Sequence, residues 1–409
     1  MNKLKKISGN PYINKREGEI LFDNVSLTEI LGAYSTPVII FLENRVRNNI
    51  ETFLKVFKSV FKNFHCFYSF KANYLPEICN IIQSEGLGAE LIGLPELKLA
   101  LKLGFPPDKI IVGGPYLPQE LIEKCAQEKI KEIVVYNMND LVKIDFIAKK
   151  YTIIQNICLR INNQKYTSKL GIFLNQSNVK RLKEIINECK NLKVTTLLSH
   201  YSTQMNDFGL FKKNINILLD NVKLLSSAGI EIENINLGGG FPEAAIMPEI
   251  QLRKLAIKIN SLISNFQMNF KNIYFEPGRY LVGDAGSLIA KIVRITDDRW
   301  IFLNIGNHIC PKFAKSSIRF YNASRIEEPH KYKTSIAGII PTDQDVLAKD
   351  YFFSNDLEEG DIVVVTNVGA YNLTFSNRFP YLLPNIILVK NSIITNIFDP
   401  LVNRDFSIN

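Results

Sequence analysis

The feature that most constrains the fold is a regular alternation of short β-rich runs with longer helical segments between residues 65 and 280. The runs are rich in β-branched and aromatic residues, and the segments between them carry apolar residues near positions i, i+3, i+4 and i+7. The eight runs are CFYSFK (66–71), AELIG (89–93), IIVGG (110–114), IVVYN (133–137), CLRIN (158–162), LLSHYS (197–202), INLGGG (235–240) and IYFEPGR (273–279). Helical segments include residues 75–84, 94–103, 118–129 and 211–228. Eight βα units of similar length predict a TIM-like (β/α)₈ barrel, with a doubly wound sheet as the alternative.

After about residue 286 the sequence changes to β-rich runs that are separated by turns and show little helical periodicity. These runs are SLIAKIVRI, WIFLNIG, TSIAGII, DIVVVTNVG and NIILV, and they predict a second, all-β domain. The β-like residues 19–22 predict that the N-terminal segment joins this domain. We therefore expect residues 1–42 to complete the β domain, 43–285 to form the barrel and 286–409 to form the C-terminal β domain.

The composition fits a reduced, cytoplasmic globular protein that binds neither nucleic acid nor membranes. Apolar residues make up 46% of the 409, and the net charge of +9 comes from lysines spread along the chain rather than gathered in a basic block. No stretch approaches the roughly 18 apolar residues of a membrane span, and the N-terminus lacks the apolar region of a signal peptide. The six cysteines and four histidines show no metal-binding spacing, so no metal is expected.

Charged residues and glycines cluster at the ends of the predicted strands. In barrels of this type the carboxyl ends of the strands form the rim that carries the active site. The residues expected there are Lys71, Glu90, Arg160, His200, Gly238, Gly239, Gly240, Glu276, Gly278 and Arg279. Each one has an ordinary interpretation by itself: a surface lysine, a structural histidine, a turn or a salt bridge. Their convergence on one rim favours a functional site.

The chemistry that suits this set is that of pyridoxal 5′-phosphate. A lysine amine can attack the cofactor aldehyde, and a carboxylate facing the ring nitrogen keeps that nitrogen protonated, so the ring can act as an electron sink. The phosphate needs backbone N–H groups that glycines let it approach, together with an arginine, and the runs LGGGF and PGR provide both. An imidazole can stack on the face of the ring.

Motifs along nearly the whole chain resemble the fold-type III pyridoxal-phosphate decarboxylases, the group of diaminopimelate and ornithine decarboxylases. The motifs are YSTPVIIFLENRVRNNI (34–50), YSFKAN, SEGLGAELIGLPEL, LRIN, SKLGI (168–172), SHYSTQ (199–204), NLGGGFP, FEPGRYLV and DIVVVTNVGAYNLTFSNRFP (361–380). The resemblance implies an alanine-racemase-like barrel with a β domain. It also implies a lyase that decarboxylates an amino acid during biosynthesis.

The resemblance further implies a role for individual residues. Lys71 would form the internal aldimine with pyridoxal phosphate, His200 would stack on the ring, and Glu276 would pair with the pyridine nitrogen. Glu90 and Arg160 would lie near the cofactor. The remaining cofactor-binding residues would be Thr203, Gly238, Gly239, Gly240, Gly278, Arg279 and Tyr371. Because Tyr371 belongs to the β domain, the family's head-to-tail homodimer with shared active sites is expected.

One motif of the β domain departs from the family. The family has a cysteine, followed four residues later by an aspartate, and both are expected to reach into the partner's site. Here the stretch reads AGIIPTDQDVLAKD (337–350), which places Pro341 at the cysteine position and Asp345 at the aspartate position. Thr342 stands where diaminopimelate decarboxylases have a substrate-binding glutamate, and Asp343 is the candidate to compensate. Arg319 is a further candidate for binding the distal end of the substrate.

The sequence therefore predicts a decarboxylase that removes the α-carboxylate of an amino acid or a carrier-bound derivative. Its catalytic residues would be Lys71, His200, Glu276 and Asp345. Since proline has no side-chain proton to give, another donor is needed, such as Asp343, Asp345, Tyr371 or water. Two alternatives remain open: a catalytically altered or silent relative that acts as a regulator or binding protein, and a racemase-type enzyme on the same fold.

Overall fold

The structure is a computed structural model that describes residues 5–163, 168–266 and 268–403. The outer ends of the predicted β domain, residues 1–4 and 404–409, lie outside the described residues. The strands are β1 Lys5–Ile7, β2 Asn10–Arg16, β3 Glu19–Phe22, β4 Val25–Ser26, β5 Val38–Leu42, β6 Phe64–Ser69, β7 Gly88–Leu91, β8 Ile110–Gly114, β9 Glu132–Val135, β10 Gln155–Arg160, β11 Leu192–Leu198, β12 Asn234–Asn236, β13 Asn272–Phe275, β14 Gly286–Ile295, β15 Trp300–Leu303, β16 Arg319–Asn322, β17 Tyr332–Ala337, β18 Val346–Phe353, β19 Ile362–Thr366, β20 Asn385–Lys390 and β21 Ile393–Phe398. The helices are α1 Leu27–Ala33, α2 Glu43–Lys58, α3 Pro76–Ser84, α4 Leu94–Lys102, α5 Gln119–Glu128, α6 Asn139–Lys150, α7 Gln176–Glu188, α8 Phe208–Ser227, α9 Glu249–Ser264 and α10 Arg279–Val282.

The described residues form two compact units. One contains residues 51–242 and 247–278, and we call it the barrel unit. The other contains the residues up to 50, residues 243–246 and those from 279 onward, and we call it the β unit. The boundaries drawn from the sequence at residues 43 and 286 stay predictions.

The barrel unit is built on strands β6 to β13, which close into a barrel in sequence order. Neighbouring strands are parallel, and helices α3 to α9 each connect one strand to the next. Strands such as β8, which is buried along its whole length, are covered on both faces, and this explains their continuous apolar sequences. The predicted (β/α)₈ barrel is confirmed.

The barrel strands end earlier than the sequence predicted. β13 stops at Phe275, before the EPGR run, and β12 stops at Asn236, before the three glycines. The polar motifs therefore begin where strand pairing stops and lie in the loops at the carboxyl ends of the strands.

A cluster of phenylalanines anchors one of these loops. Phe241, which directly follows the three glycines, packs edge-on against Phe53 with ring centroids 5.1 Å apart. Phe57 packs between Phe241 (5.7 Å) and Phe275 of β13 (4.6 Å). Because all four rings are buried, the glycine turn is attached to the core on its C-terminal side.

The β unit contains two sheets. β1 to β4 form an antiparallel sheet, and the larger sheet has the order β18-β17-β15-β14-β5-β20-β21, with β16 and β19 paired beside β14. β5, from the N-terminal segment, lies between β14 and β20 and contributes Val38, Ile40 and Leu42 to a fully buried core. This confirms that the N-terminal segment completes the all-β domain.

A buried polar cluster ties the start of the chain to the segment after α10 within the β unit. Arg45 pairs with Asp284 at 2.6 Å, with the two side chains 8% and 0% exposed. Asn49 donates to the second carboxylate oxygen of Asp284 at 2.8 Å, and Asn10 donates to its backbone carbonyl at 2.7 Å. Such a fully partnered carboxylate fixes the segment that follows Arg279. Within the described ranges, no helix has the length and apolar character needed to cross a membrane.

Candidate active site

Lys71 lies in a short turn directly after β6 and contacts a carboxylate of the neighbouring strand. Its Nζ donates to both oxygens of Glu90 of β7, at 3.1 and 3.3 Å. The lysine side chain is 34% exposed and that of Glu90 only 7%. Ser69 also donates to Glu90, at 2.5 Å, which holds the carboxylate in place from the strand side. The amine is thus oriented by a buried acid and remains open to solvent.

Glu276 follows β13 and is held by Asn236, the last residue of the neighbouring strand β12. The side-chain amide of Asn236 donates to Glu276 Oε1 at 2.7 Å, and the Asn236 carbonyl oxygen accepts from Gly238 N at 2.9 Å. One asparagine thereby links the glutamate to the glycine turn. Sequence reasoning missed this asparagine, since an asparagine inside a predicted strand, two residues before a glycine run, carries no signal of its own.

Burial and neighbouring charges set the ionisation of Glu276. Burial and, to a smaller extent, the negative charge of Glu90 raise its pKa to about 7, against the opposing effects of Lys71, the hydrogen bond from Asn236 and the charge of Arg160. Lys71, Glu90, Arg160 and Glu276 therefore lie within electrostatic range of one another. The structure brings these four predicted residues together.

His200 follows β11 and lies against the first glycine of the turn. A Cβ placed on Gly238 would lie 2.9 Å from His200 Nδ1, and Gly238 has a φ of +66°. A larger residue would clash with the imidazole and strain the backbone. Asn163 fixes the backbone of the histidine by donating to its carbonyl oxygen at 2.8 Å.

Gly240 permits a second close approach in the same turn. It has a φ of +90°, and a Cβ there would lie 2.4 Å from the carbonyl oxygen of Ser202. The loop after β11, which contains Thr203, can therefore run directly beside the glycines. Gly239 and Gly278 occur in the loops after β12 and β13, as the sequence predicted.

Arg160 ends β10 and has a partner that the sequence did not reveal. Its guanidinium donates to the hydroxyl of Tyr136 at 2.6 Å. Tyr136 directly follows β9, and burial raises the pKa of its hydroxyl, with Arg160 opposing that shift. Its place at the end of a predicted strand was the one available signal.

The β unit contains the other predicted cofactor residues, Arg279 and Tyr371. The guanidinium of Arg279 lies 4.8 Å from the centre of the Tyr371 ring, and its terminal nitrogen donates to the carbonyl oxygen of Ala314 at 2.6 Å. Tyr371 has a φ of +67° and stacks on Phe375 at 5.9 Å. Arg319 is exposed on β16.

In the loop that contains Pro341, the predicted substrate residues and the predicted catalytic aspartate differ in their exposure. Pro341, Thr342 and Asp343 are exposed, whereas Asp345 is only 2% exposed. The two carboxylate oxygens of Asp345 accept from the backbone N–H groups of Asn307, at 2.6 Å, and Ile340, at 2.8 Å.

This placement gives Asp345 a structural role within the β unit. A buried carboxylate that accepts two backbone N–H groups joins two loops. The catalytic role expected of Asp345 stays a prediction.

Cys310 is poorly suited to replace the cysteine that the family has at the position of Pro341. It lies within electrostatic range of Asp345, but it is 3% exposed, and burial, with a smaller effect from Asp345, raises the pKa of its thiol to about 12. Among the described residues, no group of three or more histidines, cysteines and acidic side chains is arranged to hold a metal ion.

Comparison with known protein families identifies the family to which the chain belongs. The family model for the pyridoxal binding domain of pyridoxal-dependent decarboxylases matches residues 47–283. The chain belongs to the pyridoxal-dependent decarboxylases. The predicted family, the dependence on pyridoxal phosphate and the class of amino-acid decarboxylase are confirmed at this level, and the roles of individual residues stay predictions.

Relatives match this decarboxylase over almost its full length. Diaminopimelate decarboxylase of Methanocaldococcus jannaschii is 25% identical over 399 residues, which cover 91% of this chain and 90% of that protein. The enzyme of the same name from Aquifex aeolicus is 24% identical over 391 residues, covering 90% of each protein.

Solved structures share the fold. Diaminopimelate decarboxylase from M. jannaschii in complex with L-lysine has a TM-score of 0.85 and 24% identity, covering 95% of each chain. Lysine decarboxylase from Selenomonas ruminantium in complex with pyridoxal phosphate and cadaverine has a TM-score of 0.75 and 18% identity, covering 89% of this chain and 93% of that one.

The residues of the barrel unit fit pyridoxal phosphate. Glu276 is a buried acid whose ionised form lacks sufficient positive charge around it, and a protonated ring nitrogen would supply that charge. Lys71 has a partly exposed side chain that ends in an amine, and Gly239, Gly240 and Gly278 lie in the loops after β12 and β13, where glycine backbone N–H groups can approach a phosphate. This decarboxylase therefore has the donors that the cofactor requires.

The raised pKa of Glu276 predicts a pH-dependent stability without cofactor. The carboxyl has a pKa near 4.5 in the unfolded chain and about 7 when folded, so folding favours its protonated form. Stability is lost as the pH rises from 4.5 to 7. Glu276→Gln removes this loss, so the variant should gain on the wild type across that interval, by on the order of a few kcal/mol, and level off above it.

Denaturant unfolding of both proteins between pH 5 and 8, in cofactor-free form, measures this difference. Glu249→Gln, at an exposed position on α9, is the control and should show no comparable gain. A stability difference between Glu276→Gln and wild type that stays constant across this range would show that Glu276 ionises normally in the folded protein.

Proposed function

We propose that this decarboxylase removes the α-carboxylate of an amino acid, with Lys71 holding pyridoxal phosphate and Glu276 paired with the ring nitrogen. The observation that carries the proposal is the cluster of Lys71, Glu90, Arg160 and Glu276 at the carboxyl ends of the barrel strands. When bound, pyridoxal phosphate links covalently to an amine and accepts the electron pair left by departing CO₂.

Each of the predicted cofactor residues has a defined task in this proposal. Glu90 orients the amine of Lys71 through the bonds to its Nζ. Glu276, held by Asn236, keeps a proton on the pyridine nitrogen, since a carboxylate favours a cation beside it. His200 provides a flat face for the ring, and Gly238 gives it room. Thr203, Gly239, Gly240, Gly278, Arg279 and Tyr371 complete the set for the cofactor phosphate.

The substrate we propose is a basic or diamino acid, free or carried as a derivative. The relatives are named diaminopimelate and lysine decarboxylases, which supports this class. Thr342 in place of a glutamate makes diaminopimelate itself a weaker candidate. Thr342 and Asp343 are exposed in the loop after β17, and we assign them, together with the exposed Arg319, to the distal end of the substrate.

The variant Lys71→Ala, which lacks the amine expected to bind pyridoxal phosphate covalently, tests the role of Lys71. After incubation with pyridoxal phosphate, borohydride reduction and peptide mapping, the wild type should carry the pyridoxyl group on Lys71, and Lys71→Ala should carry none. CO₂ release from a panel of diaminopimelate, lysine and ornithine should fall to background in the same variant. Lys98→Ala, at an exposed position on α4, is the control and should behave as the wild type.

A pyridoxyl group on another residue of Lys71→Ala would contradict the assignment. An adduct on Lys71 without CO₂ release from any amino acid would favour the alternative, a catalytically altered or silent relative. Pro341 is the observation that keeps this alternative open, because it replaces the side chain expected to deliver a proton.

Pro341 predicts a change in product distribution. A missing donor leaves the product carbon to be protonated by Asp343 or water. Protonation at the cofactor carbon instead, followed by hydrolysis with water, would leave the amino group on the cofactor and release a carbonyl by-product. Pro341→Cys should raise the ratio of amine to carbonyl product, and one acid–base group is typically worth ~10²–10⁴ in rate. Pro341→Ala, which adds no thiol, should leave the ratio as in wild type. Equal ratios in all three proteins would remove Pro341 from the explanation.

A head-to-tail homodimer is part of the proposal, and an exposed aromatic cluster on the β unit supports it. Phe313 is 72% exposed and packs edge-on against Phe375 at 4.7 Å, and Phe375 stacks on Tyr371. Phe379 and Leu382 are 66% and 70% exposed. Apolar surface of this kind marks an interface, here with a second copy of the chain.

Phe313→Asp should shift the protein from dimer to monomer in analytical ultracentrifugation, because a charge replaces an apolar contact at the interface. Phe146→Asp makes the same exchange at a position on α6 that is 71% exposed, and it should leave the dimer intact. A wild type that sediments as a monomer at all concentrations would contradict the shared site.

A further inference from the structure

A buried ion pair in the β unit involves the arginine assigned to the cofactor phosphate. Glu243 Oε1 lies 3.3 Å from a terminal nitrogen of Arg279, and the side chains are 0% and 4% exposed. Glu243 lies three residues after Gly240, in a part of the glycine motif to which the sequence gave no role. A charge pair buried this deeply determines how much positive charge the arginine has left for any other anion.

The terminal nitrogens of Arg279 already have partners. The nitrogen that faces Glu243 also donates to Ser316 Oγ at 3.3 Å, and the other donates to the carbonyl oxygen of Ala314 at 2.6 Å. The Nε atom is buried and has no hydrogen-bond partner among the described residues. Since buried donors are nearly always paired, Nε, the one nitrogen of this guanidinium without a partner among the described residues, is the atom that we assign to a ligand.

The carboxylate of Glu243 is fixed as firmly as the arginine. Ser317 donates to it twice, from the backbone N–H to Oε1 and from Oγ to Oε2, both at 3.2 Å. The glutamate therefore stays beside Arg279 instead of turning to solvent.

We propose that Glu243 competes with the cofactor phosphate for Arg279 and weakens the binding of pyridoxal phosphate. The inference rests on the proposed function, in which Arg279 meets the phosphate. A phosphate group brings about −1.5 to −2 charges, and Arg279 is already neutralised by a carboxylate. Phosphate at Nε gains a hydrogen bond but little net attraction, and it is repelled by Glu243. The pair thereby makes the cofactor exchangeable.

The test compares ligands with and without the phosphate. Dissociation constants for pyridoxal phosphate and for pyridoxal are measured by absorbance titration for wild type and Glu243→Gln, which keeps the shape of the side chain and removes its charge. We expect Glu243→Gln to bind pyridoxal phosphate about tenfold tighter, equivalent to about 1.4 kcal/mol, and pyridoxal unchanged. Glu249→Gln is the matched control for loss of one negative charge and should change neither constant.

Unchanged or weaker binding of pyridoxal phosphate by Glu243→Gln overturns the proposal, as does an equal change for both ligands, which indicates a general structural role. If Glu243→Gln does not fold, Glu243→Asp replaces it. Its shorter side chain withdraws the carboxylate from Arg279 and should tighten only pyridoxal phosphate, by a smaller factor, and no such tightening overturns the proposal. A wild type that binds no pyridoxal phosphate contradicts the proposed function instead.

Discussion

Closure of the parallel barrel is the constraint on which the rest of the structure depends. Each of the eight strands pairs with a neighbour on both sides, so every carboxyl end reaches the same rim. The barrel interior is fully buried, and an ion there would lose its hydration. Charged side chains therefore come at the strand ends or just after them, as at Arg160, Lys71 and Glu276. Barrel closure and the cost of desolvating an ion together place the charged side chains of the site at one rim.

The charges at the rim are unbalanced in a way that suits a cationic ring. Glu90 has a partner in Lys71, whereas the direct donor to Glu276 among the described residues is the neutral amide of Asn236, and the pKa of Glu276 is raised. A carboxylate that is buried without a counter-ion costs stability when it ionises. Binding of a group that brings a positive charge to Glu276 relieves that cost, so the same residue links cofactor binding to stability.

Much of this could be predicted from the sequence, because the signals are local. Apolar runs of strand length gave the eight strands, and the polar residues after them gave the rim, including Lys71, Glu90 and His200. Strand ends were less certain, since a run such as IYFEPGR continues past the last paired residue, Phe275. Local patterns carry no information on where pairing stops.

Contacts between distant segments were beyond the reach of such patterns. The hydroxyl of Tyr136 meets Arg160 across 24 residues, and the carboxylate of Asp345 meets the backbone of Asn307 across 38. The second contact gives Asp345 a role in joining two loops that the motif alone did not predict, because a motif does not show which backbone N–H groups will lie beside its aspartate. Only the fold distinguishes an exposed acid from one occupied by backbone N–H groups.

In the loop that contains Pro341 and Asp345, the hydrogen bonds through which the Asp345 carboxylate holds the loop and the exposed side chains expected to act chemically involve different residues. Asp345 holds its loop through two backbone N–H groups, and this task is independent of the neighbouring residue at 341. A proline there leaves the loop's hydrogen bonds intact, because Thr342 N and Asp345 N still donate within the turn. The architecture of the loop is therefore separable from the chemistry expected of its exposed side chains. The fold and the charged rim are compatible with a changed proton donor, since the contacts described above for the barrel strands, the glycine turn and Glu276 do not involve residue 341.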